Sequence, residues 1–208
     1  MADQTVWLVA GQKGGVGKST ISYGLGYYLA KLDQGKVIIC DIDFGQWTCD
    51  LWKSLRGDKP LGFDIIKCNT LEDIGKAAVR TGARHVIIDG APHASKQTLE
   101  LAKSADRIII PTGPGIAALS PNVGLANNML EEGISRNHIA FVIMQAGTPA
   151  DAKSAYETVK EHDFLCVPAS LNFSTAYGQS ADRGLSVLET PFVGLRKQAK
   201  LVFGALTK

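Results

Sequence analysis

Residues 13–20 read Lys13-Gly14-Gly15-Val16-Gly17-Lys18-Ser19-Thr20. They follow an apolar run at residues 5–10 (TVWLVA) and precede a helical pattern that begins near Ile21. A strand, a glycine-rich loop and a helix in this order are typical of phosphate-binding loops. Glycines let backbone N–H groups converge on phosphate oxygens, and the positive end of the following helix strengthens that attraction. The stretch therefore predicts a phosphate cradle formed by residues 14–20.

Two side chains of this loop have predicted roles, and a third departs from the usual pattern. We expect Lys18 to reach the β- and γ-phosphates and the Ser19 hydroxyl to coordinate Mg²⁺. The strict pattern G-x-x-x-x-G-K-[ST] would place glycine at position 12, where this chain has Gln12 followed by Lys13. A solvated lysine that only raises the local potential is one interpretation of Lys13.

Composition sets limits on the fold class and on the partners. With 208 residues and 45% hydrophobic content, the chain is expected to form one domain over residues 1–208. The net charge of +2 permits an anionic partner without requiring one. No apolar segment is long enough to span a membrane, and the first residues do not resemble a secretory signal. The four cysteines form no C-x-x-C pair, which favours reduced, partly buried thiols.

Apolar, β-branched runs alternate with amphipathic stretches along the whole chain. After the first run, further buried strands are predicted at residues 36–41, 85–89, 107–111, 139–144 and 164–167. Helix starts are predicted at the capping box of Thr70, at Ser120-Pro121 and at Thr148-Pro149, and a closing helix over residues 191–208. This alternation predicts an α/β fold, a doubly wound, mostly parallel sheet flanked by helices, with ligands at the carboxyl ends of the strands.

Carboxylates follow two of these predicted strands. Asp41 and Asp43 end the second run, and Asp89 ends the run at residues 85–89. An aspartate directly after an apolar strand is the arrangement that holds Mg²⁺ in phosphate-loop enzymes. We expect Asp41 and Asp89 to face the metal and Asp43 to hold the attacking water. The alternative is that the Asp41 and Asp43 pair only caps the next helix.

These motifs together resemble the ParA/MinD family of deviant Walker A ATPases, most closely the small ParA-type partition and cargo-positioning proteins. The loop matches the family's K-G-G-x-G-K-[ST], residues 41–45 resemble its D-x-D-x-G, and residues 89–92 its D-x-x-P. Phe44 and Gly45 replace the Pro-Gln pair that is usual in plasmid ParA proteins. The resemblance covers nearly the whole chain, and it implies a phosphate-loop NTPase fold.

The resemblance also implies ATP and Mg²⁺ as cofactors and an ATP-dependent homodimer. In the family the first lysine, here Lys13, reaches the nucleotide of the other subunit, so that Lys13, Lys18 and Asp43 are the implied catalytic residues. Adenine contacts are implied at Gln145 and in a proline-containing loop that corresponds to Pro168 and Ala169. A ParB-like or cargo-adaptor protein would stimulate slow hydrolysis, and His93 and Ser95 are candidate adaptor contacts.

The closing helix leaves three interpretations open, namely core packing, DNA binding and membrane attachment. The candidate DNA contacts are Arg183, Arg196, Lys197 and Lys200. The resemblance favours a cytoplasmic, nucleoid-associated protein that positions DNA or another large cargo; the alternative is a membrane-associated MinD-like regulator. A dinucleotide-binding oxidoreductase with Asp41 on the ribose is disfavoured, because Gly15-Val16-Gly17 lacks the third glycine of G-x-G-x-x-G.

Overall fold

Seven parallel strands form one sheet, as the alternating sequence pattern predicts. A computed structural model describes residues 4–32, 35–92 and 96–208. The strands are β1 (Thr5–Val9), β2 (Val37–Asp41), β3 (Asp64–Lys67), β4 (His85–Asp89), β5 (Arg107–Thr112), β6 (Ile139–Met144) and β7 (Leu165–Leu171). Their order in the sheet is β3-β2-β4-β1-β5-β6-β7. Every pairing is parallel, so all seven carboxyl ends lie at one edge.

Helices cover both faces of this sheet. They are α1 (Lys18–Lys31), α2 (Thr48–Arg56), α3 (Leu71–Thr81), α4 (Lys96–Lys103), α5 (Ile116–Glu131), α6 (Pro149–Glu161), α7 (Thr175–Ala181) and α8 (Val193–Leu206), with 3-10 helices at Arg136–His138 and Val187–Glu189. Side chains of successive strand residues alternate between the faces, so that Leu8 packs with α3 to α6 while Trp7 and Val9 pack with α1 and α8. The sheet is thus doubly wound, which confirms the predicted fold class.

Several predicted boundaries are confirmed and others are wrong. Thr70 and Thr148 cap α3 and α6 with reciprocal capping boxes, and Pro149 is the first residue of α6. Pro121, in contrast, does not begin a helix. It lies inside α5, which starts at Ile116 after Gly115 in extended conformation. The missing N–H of Pro121 removes one hydrogen bond from the helix without ending it.

The two edge strands account for most of the remaining differences. Strand β3 was not predicted, because its four residues include only two apolar ones between a charged start and a charged end. The last predicted strand was also too short, because β7 continues past Pro168 to Leu171. Pro168 lies where the pairing of β7 with β6 shifts its register, between Cys166 and Ser170. Edge strands and such irregularities tolerate the missing N–H of proline.

Candidate nucleotide-binding site

The glycine-rich loop connects β1 to α1 at the carboxyl edge of the sheet. Gly15 has a φ of 75° and Gly17 a φ of 99°, which side-chain-bearing residues adopt only with strain. A Cβ at Gly17 would also lie 2.6 Å from Met144 Cε, at the end of β6. The loop conformation therefore depends on both of these glycines, as a backbone phosphate cradle requires.

Lys18, the first residue of α1, folds back over this loop. Its side chain is buried, and Nζ donates to the carbonyl of Lys13 at 3.1 Å. Burial lowers the pKa of Lys18, while the negative charges of Asp89 and Asp43 act in the opposite direction. Gln145, directly after β6, also contacts the glycine-rich loop, because its Nε2 donates to the carbonyl of Gly15 at 2.8 Å. The ammonium group of Lys18 is thus held beside the glycine cradle.

Asp41 and Asp89 end the neighbouring strands β2 and β4 and are paired in register. Both carboxylates are fully buried. Asp89 accepts a hydrogen bond from Ser22 Oγ at 2.7 Å. Asp41 accepts from the backbone N–H of Asp43 at 3.2 Å and of Cys49 at 3.0 Å. Asp41 therefore also fixes the start of α2.

Cys49 completes this cluster and was missed by the sequence analysis. Its thiol donates to Asp89 Oδ2 at 3.3 Å, and the ligand atoms of Asp41, Cys49 and Asp89 all lie within 4.8 Å of one another. Burial raises the pKa of both Asp41 and Asp89, and the charge of Asp89 raises the pKa of Asp41 further. A hard divalent cation fits this oxygen-rich pair, with Ser19 as the predicted third ligand.

In the nucleotide-free protein, Asp41 should make the fold less stable as the pH rises from about 4 to about 6. Burial, followed by the charge of Asp89, raises the pKa of Asp41 from 3.8 to about 6. The folded protein therefore binds this proton more tightly than the unfolded chain, and its contribution to stability is complete below pH 3.8 and lost as the pH passes the folded pKa. Over this range the Tm of the wild type should fall relative to that of Asp41→Asn by at least about 2 °C. Parallel Tm profiles would contradict this assignment.

Two adjoining cavities lie at this edge of the sheet. The first, the phosphate cavity, has a volume of about 220 Å³ and is lined by the glycine loop, Lys18, Ser19, Asp43 and Gln46. The second, the side cavity, has a volume of about 330 Å³. Both cavities share lining residues, which are Gly17, Thr20, Trp52 and Gln145. One elongated ligand with a phosphate end can therefore occupy both.

The predicted base contacts are placed differently by the structure. Gln145 lines both cavities, but Pro168 and Ala169 do not follow β7 as expected. They lie within that strand and line a separate cavity against α6, so their predicted place in a loop is wrong. The loop after β7 is formed by residues 172–174, and these residues with Thr175 line the side cavity. Ser174, which caps α7, was the one sequence signal for this turn.

Comparison with known families identifies the chain. Residues 7–202 match the model of the CobQ/CobB/MinD/ParA nucleotide-binding domain. The chain belongs to the CobQ/CobB/MinD/ParA family. Among curated proteins, no sequence gives a significant match.

Solved structures of this family share the fold at low sequence identity. Apo McdA of Cyanothece superposes with a TM-score of 0.73 at 18% identity, covering 98% of this chain and 99% of that chain. MinD of Pyrococcus horikoshii with Mg-ADP gives 0.74 at 16% identity, covering 99% and 96%. A ParA family ATPase of Chlorobium tepidum gives 0.68 at 17% identity, covering 99% and 100%. Identities this low show the shared fold alone.

The remaining predicted residues are Lys13, the candidate DNA contacts and the candidate adaptor contacts. Lys13 is exposed on the loop, and its ammonium group makes no ion pair with the described residues. Arg183 follows α7, and Lys197 and Lys200 are exposed on α8. Arg196 donates to the carbonyl of Thr190 at 2.7 Å, which fastens the start of α8. His93 and Ser95 lie outside the described residues.

The closing helix α8 packs on the sheet. Its apolar face is buried against β7 and α1, and the buried residues are Ala199, Val202, Phe203 and Leu206. The core-packing interpretation of the closing helix is therefore confirmed for this face. Within residues 4–32, 35–92 and 96–208, no helix combines the length and the apolar character needed to cross a membrane.

Proposed function

We propose that this protein is a Mg-ATP-dependent dimerisation switch that hydrolyses ATP slowly and positions DNA or another large cargo. The observation that carries this proposal is the buried Lys18, held over a glycine cradle in the wall of the phosphate cavity, which adjoins the side cavity. Triphosphate binding needs this cation and the convergent N–H groups, and a nucleoside needs the adjoining apolar space.

The side chains around the phosphate cavity support ATP hydrolysis in this proposal. Ser19, Asp41 and Asp89 would hold Mg²⁺, which neutralises phosphate charge when bound. Asp43 lies in the wall of the same cavity and is almost fully buried. Burial raises the pKa of Asp43, and the charge of Lys18 opposes that rise. We assign Asp43 the role of orienting the attacking water.

Exposed apolar side chains surround the same edge of the sheet and favour a second copy of the chain as partner. Phe44 follows β2 with 81% of its surface exposed, Ile116 follows β5 with 73%, and Phe173 follows β7 with 69%. Large exposed apolar groups grouped around a site mark an interaction surface. Lys13 is exposed on the loop after β1 at this same edge, from where it would reach a nucleotide held by the second subunit.

For the surface bound by the dimer, we favour DNA over membrane. Membrane attachment through α8 would need a continuous unoccupied apolar face, whereas the buried apolar residues of this helix pack on the sheet, and its exposed Val193 and Leu201 lie among basic residues. Exposed Arg183, Lys197 and Lys200 would instead contact DNA phosphates without sequence preference. A ParB-like or cargo-adaptor protein would stimulate hydrolysis and release the DNA, and the protein would be associated with the nucleoid.

The test compares binding to duplex DNA and to anionic liposomes with Mg-ATP, with Mg-ADP and without nucleotide. DNA binding only with Mg-ATP, weakening steeply as salt rises, supports the proposal. Binding to liposomes instead of DNA supports the membrane-associated alternative. Equal DNA binding in all three nucleotide states would contradict a nucleotide-dependent switch.

Asp43→Ala should separate ATP binding from turnover. The variant keeps Lys18 and the glycine cradle, so ATP should bind with little change, while kcat should fall about 10²-fold or more because the water is no longer oriented. The ATP-bound dimer should accumulate, as measured by sedimentation. Asp58→Ala, an exposed carboxylate in the turn after α2, is the matched control. Unchanged turnover in Asp43→Ala would remove Asp43 from this role.

A further inference from the structure

The amino end of helix α2 is hydrogen-bonded to Asp41, in the cluster of Asp41, Cys49 and Asp89. The backbone N–H groups of Cys49 and Asp50 donate to Asp41 Oδ2 at 3.0 and 3.4 Å. The N–H of Trp47 donates to the carbonyl of Asp43 at 3.0 Å. Any rotation or shift of α2 therefore changes the positions of Asp41 and Asp43.

Arg56 holds the carboxyl end of α2 in place, because all five N–H groups of its guanidinium donate hydrogen bonds. Nη1 and Nη2 donate to the two carboxylate oxygens of Glu189 at 2.8 and 2.7 Å. The remaining donors bind the carbonyls of Lys59 at 3.1 Å, Pro60 at 3.0 Å and Gly184 at 3.1 Å. The Arg56 side chain is only 4% exposed and that of Glu189 15%. A bidentate, buried pair of this kind fixes direction as well as distance.

The segment that holds Arg56 contacts α2 directly. Gly184 has a φ of 64°, and a Cβ there would collide with the carbonyl oxygen of Trp52 and the amide nitrogen of Arg56. Its carbonyl also accepts from Tyr23 Oη, on α1, at 2.9 Å. Glu189 in turn accepts from the N–H of Ser186 at 2.9 Å. Residues 184–189 and α2 are therefore joined as one unit.

This unit also forms a wall of the side cavity. Leu185, Ser186 and Val187 line that cavity, and Trp52 of α2 lines both cavities. A nucleoside in the side cavity would press on the same segment that fixes α2. At the other end of α2, Asp43 lines the phosphate cavity and Asp41 lies buried beside it, hydrogen-bonded to the start of the helix. The helix α2 therefore connects the walls of the two cavities.

We propose that Arg56 is a positioning residue that couples occupancy of the side cavity by a nucleoside to the placement of Asp41 and Asp43. This inference rests on the proposed function, since it concerns the same ATP site. Its consequence is that a triphosphate joined to a nucleoside is hydrolysed faster than the same triphosphate alone. A buried ion pair often adds little net stability compared with apolar packing, so its geometry is the more specific contribution.

The first experiment compares Mg-ATP with Mg-tripolyphosphate as substrates of the wild type, Arg56→Lys and Glu189→Gln. In the wild type, kcat is expected to be higher for ATP than for tripolyphosphate. In both variants the ratio of the two kcat values should fall by roughly 2- to 30-fold, the range seen for residues that couple two sites. KM for tripolyphosphate should stay unchanged, because neither residue lies at the phosphate cavity.

The control and the folding check separate coupling from a structural role. Arg136→Lys makes the same chemical change at an arginine that donates to His162 on the opposite edge of the sheet, and it should leave the ratio unchanged. Lysine can replace only part of the five-donor geometry of Arg56, whereas Glu189→Gln keeps the shape of the carboxylate. Thermal unfolding shows which variant is folded. An unchanged ratio in a folded variant overturns the inference.

A second readout does not depend on turnover. Amide hydrogen exchange at Cys49 and Asp50 is measured with a non-hydrolysable ATP analogue and with tripolyphosphate. The nucleotide should protect these amides more than tripolyphosphate does in the wild type, and equally in Arg56→Lys. Equal protection in the wild type overturns the coupling and leaves the proposed function standing. Failure of the wild type to bind ATP in calorimetry overturns both.

Discussion

Lys18→Ala should abolish measurable ATP binding at ordinary nucleotide concentrations. Lys18 is the buried cation at the cradle, and its Nζ is held at the loop by the carbonyl of Lys13. Removing one partner of a buried, hydrogen-bonded charge pair costs about 2–5 kcal/mol, which corresponds to roughly 30-fold to more than 10³-fold in affinity. Calorimetric titration with Mg-ATP measures the loss.

The matched control for this substitution is Lys31→Ala, in the last turn of the same helix, where the side chain lies over the ring of Tyr27. It should bind ATP as the wild type does. Full affinity in Lys18→Ala would show that the phosphate cavity is not where the triphosphate binds. The side cavity would then have to bind it, and none of the described residues that line this cavity carries a charged side chain.

Lys13→Ala should leave ATP binding nearly intact and abolish nucleotide-dependent dimerisation. Lys18 and the cradle remain, so affinity should change by no more than a few-fold. Two triphosphates that face each other across an interface repel, and cations from both subunits are needed to offset this. DNA binding that depends on the dimer should be lost with it.

Sedimentation with a non-hydrolysable ATP analogue compares the wild type, Lys13→Ala and the control Lys76→Ala. Lys76 is an exposed residue of α3 that pairs with Glu72 one turn earlier. The wild type and the control should dimerise, and Lys13→Ala should remain monomeric. Equal dimerisation of all three proteins would exclude a role for Lys13 across the interface.

The sequence predicts the placement of those site residues whose positions are encoded locally or by the ends of strands. The loop from Lys13 to Thr20 has its glycines where a turn into a helix requires them. Asp41 and Asp89 were expected to meet because the carboxyl ends of parallel strands lie at one edge, and β2 and β4 do pair in register there.

The parts that were missed depend on contacts between distant segments. Cys49, at the start of α2, contacts Asp89, which is 40 positions later in the chain, and no local spacing encodes that approach. The prediction ends this strand at residue 167 and places Pro168 in a loop, because nothing in the sequence indicates that β7 is an edge strand that tolerates proline. Arg56 and Glu189 are 133 positions apart, so their pairing is a property of the fold.

Trp52 gives the protein an internal optical reporter. The chain has three tryptophans; Trp52 lies in the walls of both cavities, with its ring edge-on to Tyr23 at 5.5 Å. Trp7, in contrast, is buried beside the other strands of the sheet, and Trp47 packs against Phe44 before α2. Indole emission depends on the polarity and quenching groups around the ring. Binding of a nucleotide can therefore be followed in real time by the protein's own fluorescence, without an attached dye. Trp52→Phe, which keeps Trp7 and Trp47, is the reference that lacks the Trp52 signal.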